Sequence, residues 1–185
     1  MNPIRLLEEN PIIAAVKNPE ELEIALMSEV QVIFVLFGDI LNIKNISERI
    51  MEKGKIGIVH IDLIEGISGR EAGIRYLKEA TFFKGVISTK PQVVRIAKNE
   101  GLYAIQRVFI FDTLSLNNAT KHLGADCDAI EVLPGVIPKV IKKLAEKSKK
   151  PIVAGGLIET KEEVITALNS GATCVSTTKK EIWDM

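Results

Sequence analysis

Cysteine is scarce in this chain. Cys127 and Cys174 are the only two in 185 residues, and neither belongs to a CxxC or zinc-ligand spacing. Both lie in apolar segments, so buried reduced thiols and a reducing, cytoplasmic compartment are expected rather than a disulfide framework. An excess of one charge is missing too. Lys+Arg and Asp+Glu number 24 each, so no global field draws the chain to nucleic acid or to an anionic surface. Any polyanion site must gather its positive charge locally. No apolar run approaches the roughly 20 residues that cross a bilayer. The opening MNPIRLLEENP lacks the basic-then-apolar order of a signal peptide. Linkers, low-complexity stretches and shifts of composition are absent as well. The expectation is a soluble protein without a membrane partner, one domain over residues 1–185, large enough to bury a proper core.

What the chain does have is alternation. Short apolar runs stand at PIIAAVK (11–17), QVIFVLF (31–37), IGIVHIDL (56–63), FKGVIST (83–89), YAIQRVFIF (103–111), CDAIEVL (127–133), PIVAG (151–155) and TCVST (173–177). They are rich in Val and Ile with little strict alternation, the pattern of strands covered on both faces in a parallel sheet. Helical punctuation separates them. Asn18 precedes Pro19 with Glu21 three residues on, and Ser68–Glu71 and Thr160–Glu163 have capping-box spacing. Gly54, Gly101, Gly124 and Gly171 follow helical stretches. Seven helices are clear; an eighth, KKEIW, is short. Eight β–α units imply an open doubly wound sheet or a closed barrel, and closure removes both sheet edges. The fold expected is a compact (β/α)8 TIM barrel of the phosphate-binding type, well below the usual size of about 250 residues.

In such a barrel, function gathers at the C-terminal strand ends. Polar residues interrupt the apolar runs there. His60 and Asp62 alternate in the third run, Gln106 and Arg107 stand in the fifth, and Glu131 lies between Ile130 and Val132 in the sixth. A single histidine in a strand is as readily a satisfied core residue as a site. Glu131 is too deep for a solvated face and has no cation beside it in sequence. Gln106 and Arg107 point to opposite faces, so one of the two reaches the barrel mouth. The seventh run ends in Gly155-Gly156 and the eighth in Ser176-Thr177-Thr178. Two glycines alone read as a tight turn. Beside a Ser-Thr-Thr turn on the neighbouring strand, they read as a seat for a phosphate, with main-chain amides and hydroxyls as donors.

Two classes of function follow. An enzyme of small phosphorylated trioses or sugars could use Asp62 and Glu131 as acid and base, with His60 assisting. A regulator would bind the same ligand without turning it over. The sequence contains no evident metal cluster or activated nucleophile. The helix after the sixth strand carries Lys139, Lys142, Lys143, Lys147, Lys149 and Lys150 against a single Glu146. This is either a solvated face or a surface for phosphate backbones, with no aromatic interleaved to stack bases.

The motifs HIDLIEGI (60–67), GVISTK (85–90), AIQRVF (104–109), IEVLPGVIP (130–138) and VAGGLI (153–158), in that order, give the chain a resemblance to a known family. It resembles the glycerol-3-phosphate-responsive antiterminators of glycerol uptake operons, from about the first strand to the last. The resemblance implies a cytoplasmic bacterial regulator with no cofactor, whose effector is glycerol 3-phosphate and whose partner is leader mRNA. It places His60, Asp62, Gln106, Arg107, Glu131, Gly155 and Gly156 at the ligand mouth, joined by Ser176 and Thr177 from the reading above. Lys139, Lys142, Lys143 and Lys147 are the RNA-contact candidates. The ending Ile182-Trp183 is expected to cover the barrel's side or a neighbouring subunit, so a homo-oligomer is among the expected assemblies.

Overall fold

The computed structural model describes residues 3–121 and 126–185. Eight parallel strands pair in sequence order and close, β8 pairing with β1. They are β1 (Ile12–Val16), β2 (Val32–Val35), β3 (Ile56–His60), β4 (Gly85–Ser88), β5 (Tyr103–Phe109), β6 (Ala129–Leu133), β7 (Ile152–Gly155) and β8 (Cys174–Thr177). Each lies inside the apolar run expected for it. The third stops at His60, and Ile61–Leu63 forms a 3-10 turn.

The helices are α1 (Pro3–Glu8), α2 (Pro19–Met27), α3 (Ile43–Glu52), α4 (Glu71–Ala80), α5 (Pro91–Asn99), α6 (Thr113–Lys121), α7 (Pro138–Lys147) and α8 (Lys161–Asn169). Two of the expected caps form. The Asn18 side chain accepts from the Glu21 N–H at 2.8 Å, and Thr160 with Glu163 makes a full capping box. The Ser68–Glu71 box does not form. Arg70 is the N-cap, and a Cβ on Gly73 would lie 2.0 Å from the Ser68 carbonyl oxygen, so a side chain at position 73 would clash with the incoming loop. Gly54, Gly101 and Gly171 have the expected positive φ, while Gly124 lies outside the described residues.

Alternate strand residues divide between two cores. Ile13, Phe34, Ile58, Ile87, Ile105, Val153 and Cys174 fill the barrel. A larger cluster lies between the strands and the helices, including Val35, Val59, Val86, Val132, Val175 and the apolar faces of α2 to α5, α7 and α8. Each large aliphatic side chain so buried contributes about 1.5–3 kcal/mol. The helix α1, which the strand-helix pattern does not announce, joins Leu6 and Leu7 to the barrel's own cluster. KKEIW is a 3-10 turn, Lys180–Ile182, rather than a helix. Trp183 after it is 1% exposed and donates from Nε1 to the Thr177 carbonyl at 3.0 Å, so this ending covers its own barrel.

Candidate functional site

Strand parity aims one set of polar side chains into the barrel near its C-terminal end. Glu131 on β6 is the hub. Its Oε2 accepts from Arg107 Nε at 2.7 Å, and its Oε1 accepts from Ser176 Oγ at 2.7 Å. Glu131 is 1% exposed and Arg107 9%. The register explains the meeting, since Arg107 is the Cα partner of Glu131. The cation that sequence neighbours did not supply comes from the adjacent strand. Gly155 completes the arrangement: a Cβ there would lie 2.7 Å from both Glu131 Oε1 and Ser176 Oγ. The first glycine of the pair therefore makes room for a carboxylate.

His60 is buried on β3, and its Nδ1 has no hydrogen-bond partner. Burial, reinforced by the Arg107 charge and only partly opposed by Asp62, lowers its pKa from 6.5 to about 4. At neutral pH the ring is uncharged. Asp62 lies in the 3-10 turn, off the strand on which the sequence pattern placed it. It accepts from the Ser88 hydroxyl at 2.9 Å, the Thr89 N–H at 2.8 Å and the Thr89 hydroxyl at 2.9 Å, with Lys90 Nζ at 3.7 Å. Burial pushes this carboxyl up, but the hydrogen bonds from Thr89 and Ser88 outweigh it and hold the pKa below the usual value. Ser88-Thr89-Lys90, the polar end of the fourth run, thus holds Asp62, although the sequence reading did not count these residues among the ligand candidates.

Two candidates face away from the barrel interior. Gln106 lies on the outer face of β5 and donates from Nε2 to the Thr89 carbonyl at 3.0 Å and the Arg107 carbonyl at 3.2 Å. Of the two neighbours, Arg107 is the one that reaches the mouth. The Thr177 hydroxyl donates to the Ile158 carbonyl at 2.7 Å and accepts from the Lys179 N–H at 3.1 Å. It secures the turn rather than offering a free donor.

The ends of β7 and β8 lie side by side, Gly155 being the Cα partner of Ser176. Gly156 and Leu157 follow with φ of 76° and 61°. Among the described residues, the main-chain N–H groups of Gly156, Leu157, Ile158 and Thr178 find no protein acceptor. Gly135 braces this turn by donating to the Gly155 carbonyl at 2.6 Å, and Glu159 pairs with Lys179 at 3.6 Å between the two turns. The lysines of α7 stand apart from the mouth. Lys139, Lys142 and Lys147 are exposed and Lys143 half-buried. Among the described residues none of the four forms a salt bridge.

Comparison with known proteins gives this geometry its context. The family model of the glycerol-3-phosphate responsive antiterminator matches residues 12–183. The chain belongs to the glycerol-3-phosphate responsive antiterminator family. The crystal structure of the glycerol uptake operon antiterminator regulatory protein from Listeria monocytogenes is 32% identical, with a TM-score of 0.88 over 93% of this chain and 94% of that one. A glycerol uptake operon antiterminator-related protein from Thermotoga maritima is 31% identical, with a TM-score of 0.83 over 95% of this chain and 99% of that one. The protein YgcP of Escherichia coli (strain K12) is 42% identical over 98% of this chain and 96% of its own length. The antiterminator family is one of regulators, which decides the alternative left open above in favour of the regulator over the enzyme. Among the described residues no helix is long and apolar enough to cross a membrane.

Proposed function

We propose that this antiterminator binds glycerol 3-phosphate at the C-terminal mouth of the barrel and, when liganded, binds leader mRNA in the cytoplasm, so that transcription continues past a terminator. The observation that carries the ligand half is the set of unpaired N–H groups on Gly156, Leu157, Ile158 and Thr178, at the ends of two paired strands. Unmet main-chain donors at a strand end are costly unless water or a ligand takes them, and an oxyanion suits them best. The phosphate sits over these turns. The glycerol hydroxyls extend toward His60, whose unpartnered Nδ1 meets one of them. Arg107 uses Nε on Glu131 and keeps its terminal nitrogens for the ligand. Asp62 and Gln106 act behind these groups, setting the Ser88–Thr89 strand end to which both are bonded.

The regulation is linkage. A ligand that prefers the RNA-competent form raises RNA affinity by the ratio of its own affinities for the two forms, and about 1–3 kcal/mol of coupling makes a useful switch. The four α7 lysines supply local positive charge in a chain of zero net charge. The test is leader-transcript binding with and without glycerol 3-phosphate across a salt series. Affinity rises about 5- to 150-fold with ligand and falls with salt. Binding indifferent to the ligand at every salt concentration removes the regulatory reading.

A further inference from the structure

The mouth is built in two layers where β5, β6 and β7 end. The lower layer is the hydrogen-bonded hub: Arg107, its Cα partner Glu131, and Gly155, whose missing Cβ leaves room for the carboxylate. One strand period further along, side chains return to the same face, and the register pairs Phe109 with Leu133. Gly156 stands beside them, since a Cβ there would lie 3.2 Å from Leu133 Cδ2. The lower layer is polar and the upper one apolar, and the glycine turn borders both.

The upper layer departs from the other strand ends. β4 and β8 finish in hydroxyl residues, Ser88 and Thr177, whereas β5 and β6 finish in a phenylalanine and a leucine facing the opening. Phe109 is 51% exposed and Leu133 half-buried. Apolar surface left open at the lip of a polar site is the part of a small-molecule pocket that packs on the ligand's carbon skeleton. Leu133 adjoins the glycine turn, and Phe109 stands above Arg107 on β5. A molecule reaching from the turn to Arg107 therefore passes along both.

Such a wall discriminates by what it cannot do. Carbon-bound hydrogens pack against it, but a hydroxyl turned toward it loses water and gains no hydrogen-bond partner. The middle carbon of glycerol 3-phosphate carries one hydrogen and one hydroxyl. With the phosphate on the glycine turn and the terminal hydroxyl on the polar hub, one enantiomer presents the hydrogen to the wall. Its mirror image presents the hydroxyl.

We infer that Phe109 and Leu133 form the specificity wall of the mouth, packing on the ligand's carbon-bound hydrogens and selecting one enantiomer of glycerol phosphate over the other. This rests on the reading that a glycerol phosphate occupies the mouth.

The experiment is calorimetry of the full chain with sn-glycerol 3-phosphate, with its mirror image sn-glycerol 1-phosphate, and with inorganic phosphate. It is repeated on Phe109→Asn and Phe109→Leu, substitutions at an exposed position. Inorganic phosphate has no stereocentre and reports the seat and the fold in each variant. The parent protein binds sn-glycerol 3-phosphate about 5- to 150-fold tighter than its mirror image, the penalty of one unpaired hydroxyl. Phe109→Leu keeps this preference. Phe109→Asn, which offers the misplaced hydroxyl a partner, brings the ratio toward unity with inorganic phosphate binding unchanged. Equal binding of the two enantiomers by the parent protein, or a full preference kept in Phe109→Asn, overturns the wall and leaves the phosphate seat standing. An absence of binding of either enantiomer by the parent protein overturns both.

Discussion

Arg107 Nε lies 2.7 Å from Glu131 Oε2, and both side chains are buried on adjacent strands. A buried pair of this kind contributes little over an apolar pair of the same volume, yet removing one partner leaves an uncompensated charge. Glu131→Gln and Arg107→Met are each expected to lower stability by about 3–5 kcal/mol in urea unfolding. The double variant Arg107→Met with Glu131→Leu recovers most of that loss without recovering ligand binding. Recovery of both would mean that the pair only holds the barrel together.

Gly155 tests the same hub from the third side. Its missing Cβ leaves the space used by Glu131 Oε1 and Ser176 Oγ. Gly155→Ala is expected to cost about 1–3 kcal/mol through overpacking. Adding Ser176→Ala removes one of the two close contacts and restores part of the loss. A Gly155→Ala variant as stable as the parent contradicts the packing described.

His60 sets a pH dependence. Its folded pKa is about 4 against an ordinary 6.5, so the unfolded chain binds the proton more readily. Its contribution is therefore whole above about 6.5 and is lost as pH falls from there through about 4. Unfolding midpoints measured between these limits are expected to decline with falling pH, and His60→Gln is expected to flatten the decline. A decline of unchanged steepness in the variant assigns it to other groups.

The barrel was legible because buried parallel strands and capped helices leave local signals, and strand parity is a local property. The site was legible only in part, because its chemistry is made by pairing across strands. Nothing near Glu131 in sequence announces Arg107, and nothing near Gly155 announces the carboxylate that fills its space. Asp62 reads as strand because Ile and Leu flank it, although hydrogen bonds from β4 draw it into a turn. Thr177 reads as a free hydroxyl until the Ile158 carbonyl and the Lys179 N–H are seen to occupy it. Phe109 and Phe111 stand in YAIQRVFIF, but an apolar run gives no sign that the side chains at its end are exposed.

The most direct measurement is calorimetry of the intact protein with glycerol 3-phosphate and, separately, with glycerol. One molecule of glycerol 3-phosphate per chain is expected, with no detectable binding of glycerol at the same concentrations and loss of the phosphate compound's binding in Gly156→Val. Equal binding of the two compounds, or tight binding of glycerol 3-phosphate that survives Gly156→Val, would contradict a phosphate seat at the ends of β7 and β8.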